Sequence, residues 1–150
     1  MNEVLKNNNR IIVGAIVEKD GKIMLVQENQ PLAYGLWNTP AGHLDVGESP
    51  IDGAKREFKE ETGYDIEING ILGIYVKSFK DTNTVALKIV FRASIIGGSL
   101  VFSKDELMDV KWFKPTDILT MDDSKLRDIR KEIEDFINNR NYSLGIIRNL

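Results

Sequence analysis

Gly42–Tyr64, GHLDVGESPIDGAKREFKEETGY, decides how the rest of the chain is read. Ser49-Pro50 is a helix start, a hydroxyl able to cap followed by proline at the first helical position. Every residue from there to Thr62 tolerates a helix, and Gly63 supplies the stop. Ile51, Ala54 and Phe58 recur as one apolar stripe. Glu57, Glu60 and Glu61 fall at i, i+3, i+4, within an arc of roughly 100° set by the 3.6-residue turn. Like charges so placed repel, at a cost of about a few tenths of a kcal/mol per pair. A bound divalent cation would offset that, and oxygen-only donors suit hard ions such as Mg²⁺ or Mn²⁺.

Upstream, Arg10–Glu18 and Lys22–Glu28 are β-branched runs joined by Lys19-Asp20-Gly21, which predicts a hairpin. Asn29–Gly35 reads as a loop and Leu36–Pro40 as a short extended entry to Gly42–Tyr64. Downstream, Asp65–Ser78 is β-rich with an interruption at Asn69-Gly70, either two strands or one bulged strand. Thr84–Ile96 alternates, with Val85, Leu87, Ile89 and Phe91 on one face and Ala86, Lys88, Val90 and Arg92 on the other. Gly97-Gly98 predicts a turn, Val110–Phe113 a short strand and Pro115–Thr120 one helical turn. Asp123–Asn139 predicts a second helix. Leu126, Ile129, Ile133, Phe136 and Ile137 would form its buried stripe, with Arg130–Glu134 and Lys131–Asp135 pairs on the wet side. Arg140–Leu150 has no clear period. Periodicity alone gives mixed α and β.

The 150 residues, 42% apolar and 29% charged, predict one domain over 1–150. A net charge of −3 argues against a nucleic-acid-coating surface. No cysteine is present, which removes disulfides, thiolate metal sites and Cys nucleophiles. The lead MNEVLKNNNR is polar, unlike a signal peptide. The apolar run Ile11–Val17 is far shorter than the ~20 residues of a membrane span. The expectation is a cytoplasmic protein.

Gly42, five residues, Glu48, seven residues, then Arg56-Glu57-Phe58-Lys59-Glu60-Glu61-Thr62-Gly63-Tyr64 resembles the Nudix box of the MutT-like Nudix hydrolases. Phe58 and Tyr64 are aromatic where aliphatic residues are commoner. The resemblance implies an α+β fold, an α/β/α sandwich with a mixed central sheet. It implies metal-dependent hydrolysis of a phosphoanhydride in a nucleoside di- or triphosphate or related pyrophosphate. Glu57 and Glu61 would be the main ligands of Mg²⁺ (or Mn²⁺), with Glu60 a third and the Gly42 carbonyl completing the set. Arg56 would orient a carboxylate, Glu48 or Glu60, rather than touch phosphate. The general base would be a helix glutamate or a residue of the loop Ser103–Leu107, Glu106 before Asp105.

Gly35–Leu44 is the stretch that informs on substrate. Its string Trp37-Asn38-Thr39-Pro40-Ala41-Gly42-His43-Leu44 is similar to a bacterial Nudix subgroup of phosphatases acting on nucleoside, pyrimidine and thiamine pyrophosphates. Asn38 could bond a base edge and Tyr34 could stack on one, while Trp37 fits a core aromatic. His43, the one histidine, fits a hydrogen-bonded loop residue beside the substrate. Lys88 meets a phosphate or points to solvent. The Pro-Ala-Gly-His form departs from the Pro-Gly-Gly of 8-oxo-dGTP-cleaving members, and ADP-ribose stays open. A small phosphorylated molecule is the expected partner, not a nucleic-acid polymer or a membrane, and a homodimer is left open. The reading from another class is a Nudix-like nucleotide sensor that binds without cleaving. The retention of Glu57, Glu60 and Glu61 favours the enzyme.

Overall fold

The computed structural model describes residues 8–150. The polar lead, residues 1–7, lies outside the described residues. Strand β1 (Arg10–Lys19) turns at Asp20-Gly21 into β2 (Lys22–Glu28). Both turn residues have positive φ, 53° and 74°, as a tight two-residue hairpin requires. β3 (Trp37–Asn38) and β4 (Ala41–His43) follow, the latter not foreseen as a strand. Helix α1 (Pro50–Thr62) leads to β5 (Tyr64–Phe79), β6 (Thr84–Gly98) and β7 (Leu107–Phe113). Two short helices close the fold, α2 (Pro115–Leu119) and α3 (Arg130–Ile137).

The sheet runs β3-β2-β1-β6-β5, with β4 also paired to β1 and β7 to β2. β1 is parallel to β6 and antiparallel to β2 and β4, so the sheet is mixed. Alternate residues of β1 and β2 enter opposite cores, which is why both strands read as nearly unbroken apolar runs. Val13, Ala15, Val17, Met24 and Val26 pack with Ala54 and Phe58 of α1. Ile16, Ile23 and Leu25 pack with Ile118 of α2 and Ile129, Ile133 and Phe136 of α3. Helices therefore cover both faces, and the expected α+β sandwich with a mixed central sheet is what forms.

α1 follows its local signals. Ser49 Oγ accepts from the Asp52 N–H at 3.1 Å, and Gly63, at φ 81°, donates its N–H to the Lys59 carbonyl at 2.8 Å. A side chain at Gly63 would overlap the Ser99 carbonyl. Phe58 is wholly buried, a contribution of roughly 2–3 kcal/mol.

Of the two forms expected for Asp65–Ser78, the bulged strand is the one that occurs: register shifts between Ile68 and Gly70 and between Ile71 and Gly73 absorb extra residues as bulges in β5. Three other local expectations need correction. Gly97-Gly98 is not a turn but the paired end of β6, opposite Asp65 and Tyr64. The helix expected over Asp123–Asn139 is broken. Asp123–Lys125 forms a single 3₁₀ turn, Leu126 is extended and pairs with Trp37, and Asp128 has φ 51°. Leu126 and Ile129 are buried as the stripe requires, but a turn rather than a helix brings them together, and Ile137 is exposed. The expected Arg130–Glu134 and Lys131–Asp135 pairs give way to other partners. Arg130 turns back to Asp123 at 2.7 Å and to the Leu119 and Met121 carbonyls, while Asp135 accepts from Tyr75. In the tail, Tyr142 pairs with Ile71, and Leu144 and Ile147 pack on the α1-side core.

Candidate active site

β1 is paired with β2 at Glu18–Lys19 but with β4 at Ile12–Gly14. The sheet thus opens between β2 and β4, and the opening is bordered by α1. β4 sets Gly42 directly against that helix; a Cβ at Gly42 would overlap the Glu57 carboxylate. Glycine is required here for space, so that a carboxylate can lie on the backbone. One residue earlier, the Ala41 N–H donates to Glu61 Oε2 at 3.1 Å. Glu57 and Glu61, one helical turn apart, therefore both address the Ala41–Gly42 backbone.

Arg56 lies among carboxylates, Glu48 foremost. Its Nε and Nη2 donate to the two oxygens of Glu48 at 3.0 and 2.7 Å, Nη1 donates to Glu57 at 2.9 Å, and Nη2 also reaches the His43 carbonyl at 3.0 Å. Asp45 adds an ion pair at 3.3 Å. The guanidinium hydrogen bonds and the Asp45 N–H hold the Glu48 carboxyl at about 2, and Glu48 in turn holds Arg56 more firmly protonated. Glu48 is thus a strut for Arg56.

Glu60 is different. It is exposed and meets Arg56 only at 3.3 Å. Among the described residues no three carboxylate or imidazole groups already converge at metal-ligand spacing. Glu57 and Glu61 come together at Gly42; Glu60 stays on the outer side of Arg56. Burial pushes the Glu57 carboxyl up against the pull of Arg56. Burial, followed by the charges of Glu28 and Glu57, pushes Glu61 well above the ordinary carboxylate range. Two desolvated carboxyls with hard oxygen donors beside a backbone carbonyl fit a divalent cation.

The remaining expected residues separate. Asn38 is buried and its amide is committed, donating to Glu28 Oε1 at 3.0 Å and accepting from Lys88 Nζ at 3.3 Å. It braces Glu28 and Lys88. Lys88 does not simply point to solvent: its ammonium is 2.8 Å from Glu132 and 2.8 Å from Thr39 Oγ1. The reason is that its strand face is covered by α3, so the cation needs a buried partner. Trp37 packs edge-on against Phe113 at 4.8 Å, as a core aromatic. Tyr34, on the turn before β3, and His43, at the end of β4, are both exposed. Glu106 is exposed on a turn docked beside β2, where its carbonyl accepts from the Asn29 N–H and the Lys104 carbonyl from the Asn29 amide.

Glu28, Glu132 and Arg127 escaped the sequence reading. Glu28 closes an apolar run, and a register shift between Gln27 and Glu28 breaks the alternation that would have placed it. Glu132 did carry a signal: with Ile129, Ile133 and Phe136 it completes an i, i+3, i+4, i+7 set. Arg127 lies where a helix was expected, so its direction was unreadable.

Residues 8–136 match the family model of the NUDIX domain, and the chain belongs to that family. It is 34% identical over 95 residues to an ADP-ribose pyrophosphatase of Methanocaldococcus jannaschii, covering 63% of this chain and 56% of that protein. It is 27% identical over 118 residues to the 8-oxo-dGDP phosphatase NUDT18 of Homo sapiens, covering 77% and 35%. The fold matches a NUDIX hydrolase from Nitrosomonas europaea with a TM-score of 0.81 and 28% identity, over 95% of this chain and 98% of that one. The chain spans less than two thirds of the length of the two curated relatives. Among the described residues no helix is long and apolar enough to cross a membrane.

Proposed function

We propose that this protein is a divalent-metal-dependent pyrophosphohydrolase acting on a small nucleoside diphosphate, triphosphate or diphosphate ester, such as ADP-ribose or an 8-oxo nucleotide. The observation that carries this reading is the placement of the Glu57 and Glu61 carboxyls, desolvated, against the Ala41–Gly42 backbone. Glu57, Glu61 and the Gly42 carbonyl would hold Mg²⁺ or Mn²⁺, with Glu60 joining from the exposed side. A cation held there supplies charge neutralisation of the phosphate oxygens and acidification of the attacking water. Arg56 fixes the Glu57 rotamer and keeps Glu48 ionised. Glu106, on the docked turn, accepts the proton of the attacking water. Water attacks phosphorus, the bridging P–O bond breaks, and two phosphorylated products leave. Tyr34 and His43 border the substrate.

The test is turnover of ADP-ribose, 8-oxo-dGDP, 8-oxo-dGTP, a sugar nucleotide and thiamine pyrophosphate in Mg²⁺ and Mn²⁺, with Glu61→Gln beside wild type. The variant should lose a factor of at least ~100 in kcat. Replacing a desolvated carboxyl by a neutral amide should also raise its melting temperature without metal. Full turnover in Glu61→Gln would sink the metal assignment. Silence across the panel, with ligands still raising the melting temperature, would make the protein a sensor.

A further inference from the structure

A pyrophosphate substrate is polyanionic, and a protein cation within reach of the site carboxyls Glu57 and Glu61 would add to the charge neutralisation that a bound metal ion supplies. The structure ties Arg56, Lys88 and Arg127 to this region. Arg56 is spent on Glu48, Glu57 and the His43 carbonyl. Lys88 is largely buried and held by Glu132, Thr39 and Asn38. Arg127 stands apart from both. Its side chain is 43% exposed, and Nη1 donates to Glu28 Oε1 at 3.0 Å, leaving the rest of the guanidinium open. Glu28 is the carboxylate whose charge reaches Glu61.

The backbone around Arg127 is built for this position. Its N–H donates to the Trp37 carbonyl at 2.9 Å, and Leu126 pairs with Trp37. Leu126 and Ile129 are buried on either side. Asp128 between them adopts φ 51°, an unfavourable conformation for a non-glycine residue. The loop is thus pinned to the strand that runs into Pro40–Gly42, with Arg127 outermost.

We propose that Arg127 is a substrate-binding residue that takes a phosphate oxygen of the pyrophosphate group, with Glu28 as its resting partner. A guanidinium presents paired donors suited to a phosphate, which an ammonium cannot reproduce. This rests on the hydrolase reading given above, and it names the residue that selects for doubly charged phosphoryl ligands.

The experiment compares wild type, Arg127→Gln and Arg127→Lys in steady-state hydrolysis of ADP-ribose and 8-oxo-dGDP, and in calorimetric titration with AMP, an uncleaved product, in Mg²⁺. Arg127→Gln keeps a donor for Glu28 but no charge. It should raise KM and the AMP Kd by about tenfold or more, the scale of one lost charge-assisted hydrogen bond, with kcat within a few-fold of wild type. Arg127→Lys should recover part of the loss. A fall in kcat with KM and AMP affinity unchanged would overturn the proposal, since Arg127 would then only hold Glu28. Unchanged kinetics and AMP affinity in both variants would overturn it as well. If wild type cleaves nothing yet Arg127→Gln loses AMP affinity, the hydrolase reading fails and the anion contact stands.

Discussion

Two charge networks meet at this site, and they are built on opposite terms. Around Arg56 every partner comes from His43–Glu60, the groups run from the largely buried Glu48 and Glu57 to the exposed Glu60 and Asp45, and a single guanidinium hydrogen-bonds three carboxylates and a carbonyl and pairs with a fourth carboxylate. Around Lys88 the partners are Asn38 and Thr39, at the end of β3 and just after it, and Glu132 of α3, far apart in the chain, and the Glu132 side chain is 3% exposed. The first network tolerates water and tunes the geometry of Glu57. The second is a buried ion pair, where an unpaired charge is far more costly than the pair is stabilising. The proposed catalysis rests on the local network; integrity of the floor beneath it rests on the distant one.

The largest effect should come from the buried pair. Glu132→Ala leaves the Lys88 ammonium facing Thr39 and Asn38 alone, and chemical denaturation should show a loss of about 3–5 kcal/mol. The double variant Lys88→Met/Glu132→Leu should recover most of that loss. If it is as unstable as the single variant, the pair contributes by geometry rather than by charge balance. Arg56→Lys should act on activity instead. A lysine cannot bond both oxygens of Glu48 while reaching Glu57, so kcat/KM should drop about 10–100-fold with little change in melting temperature. A large loss of stability would place Arg56 in the same class as Lys88.

Ser49→Ala removes the cap of α1 and should cost about 1 kcal/mol, with kcat unaltered. The smallest effect is expected in acid. The folded Glu48 carboxyl lies below its ordinary 4.5, at about 2. Its contribution to stability is present above pH 4.5 and is lost as pH falls from there toward 2. Glu48→Gln should flatten that part of the stability profile, which unfolding curves between those pH values would reveal.

The residues of the first network were legible because each signal was local. Ser49, Pro50 and Gly63 set the ends of α1, and the spacing of Glu57, Glu60 and Glu61 follows from the helical turn. Their roles were less evenly legible, since Glu60 stands outside the pair formed by Glu57 and Glu61. At the second network, apolar spacing marked Leu126, Ile129, Ile133 and Phe136 as buried but gave no helix start. Ile129 offers no capping side chain, and the chain reaches these positions through an extended Leu126 and a left-handed Asp128. Period reports which side chains are buried, and caps report where a helix begins.

By itself the sequence determined the hairpin and the box helix, because hydrogen bonds close in sequence and alternating burial specify those, and the spacing of the box residues carried the resemblance to the family and with it the expected pairing of Arg56 with a carboxylate. Tertiary structure alone decided that Lys88 is buried on Glu132, that Asn38 braces Glu28, that a bulge turns Glu28 toward Glu61, and that a strained loop presents Arg127 beside them. Those outcomes depend on which strands and helices come to lie against one another, and the free energy that settles them is desolvation, which no local window of residues contains.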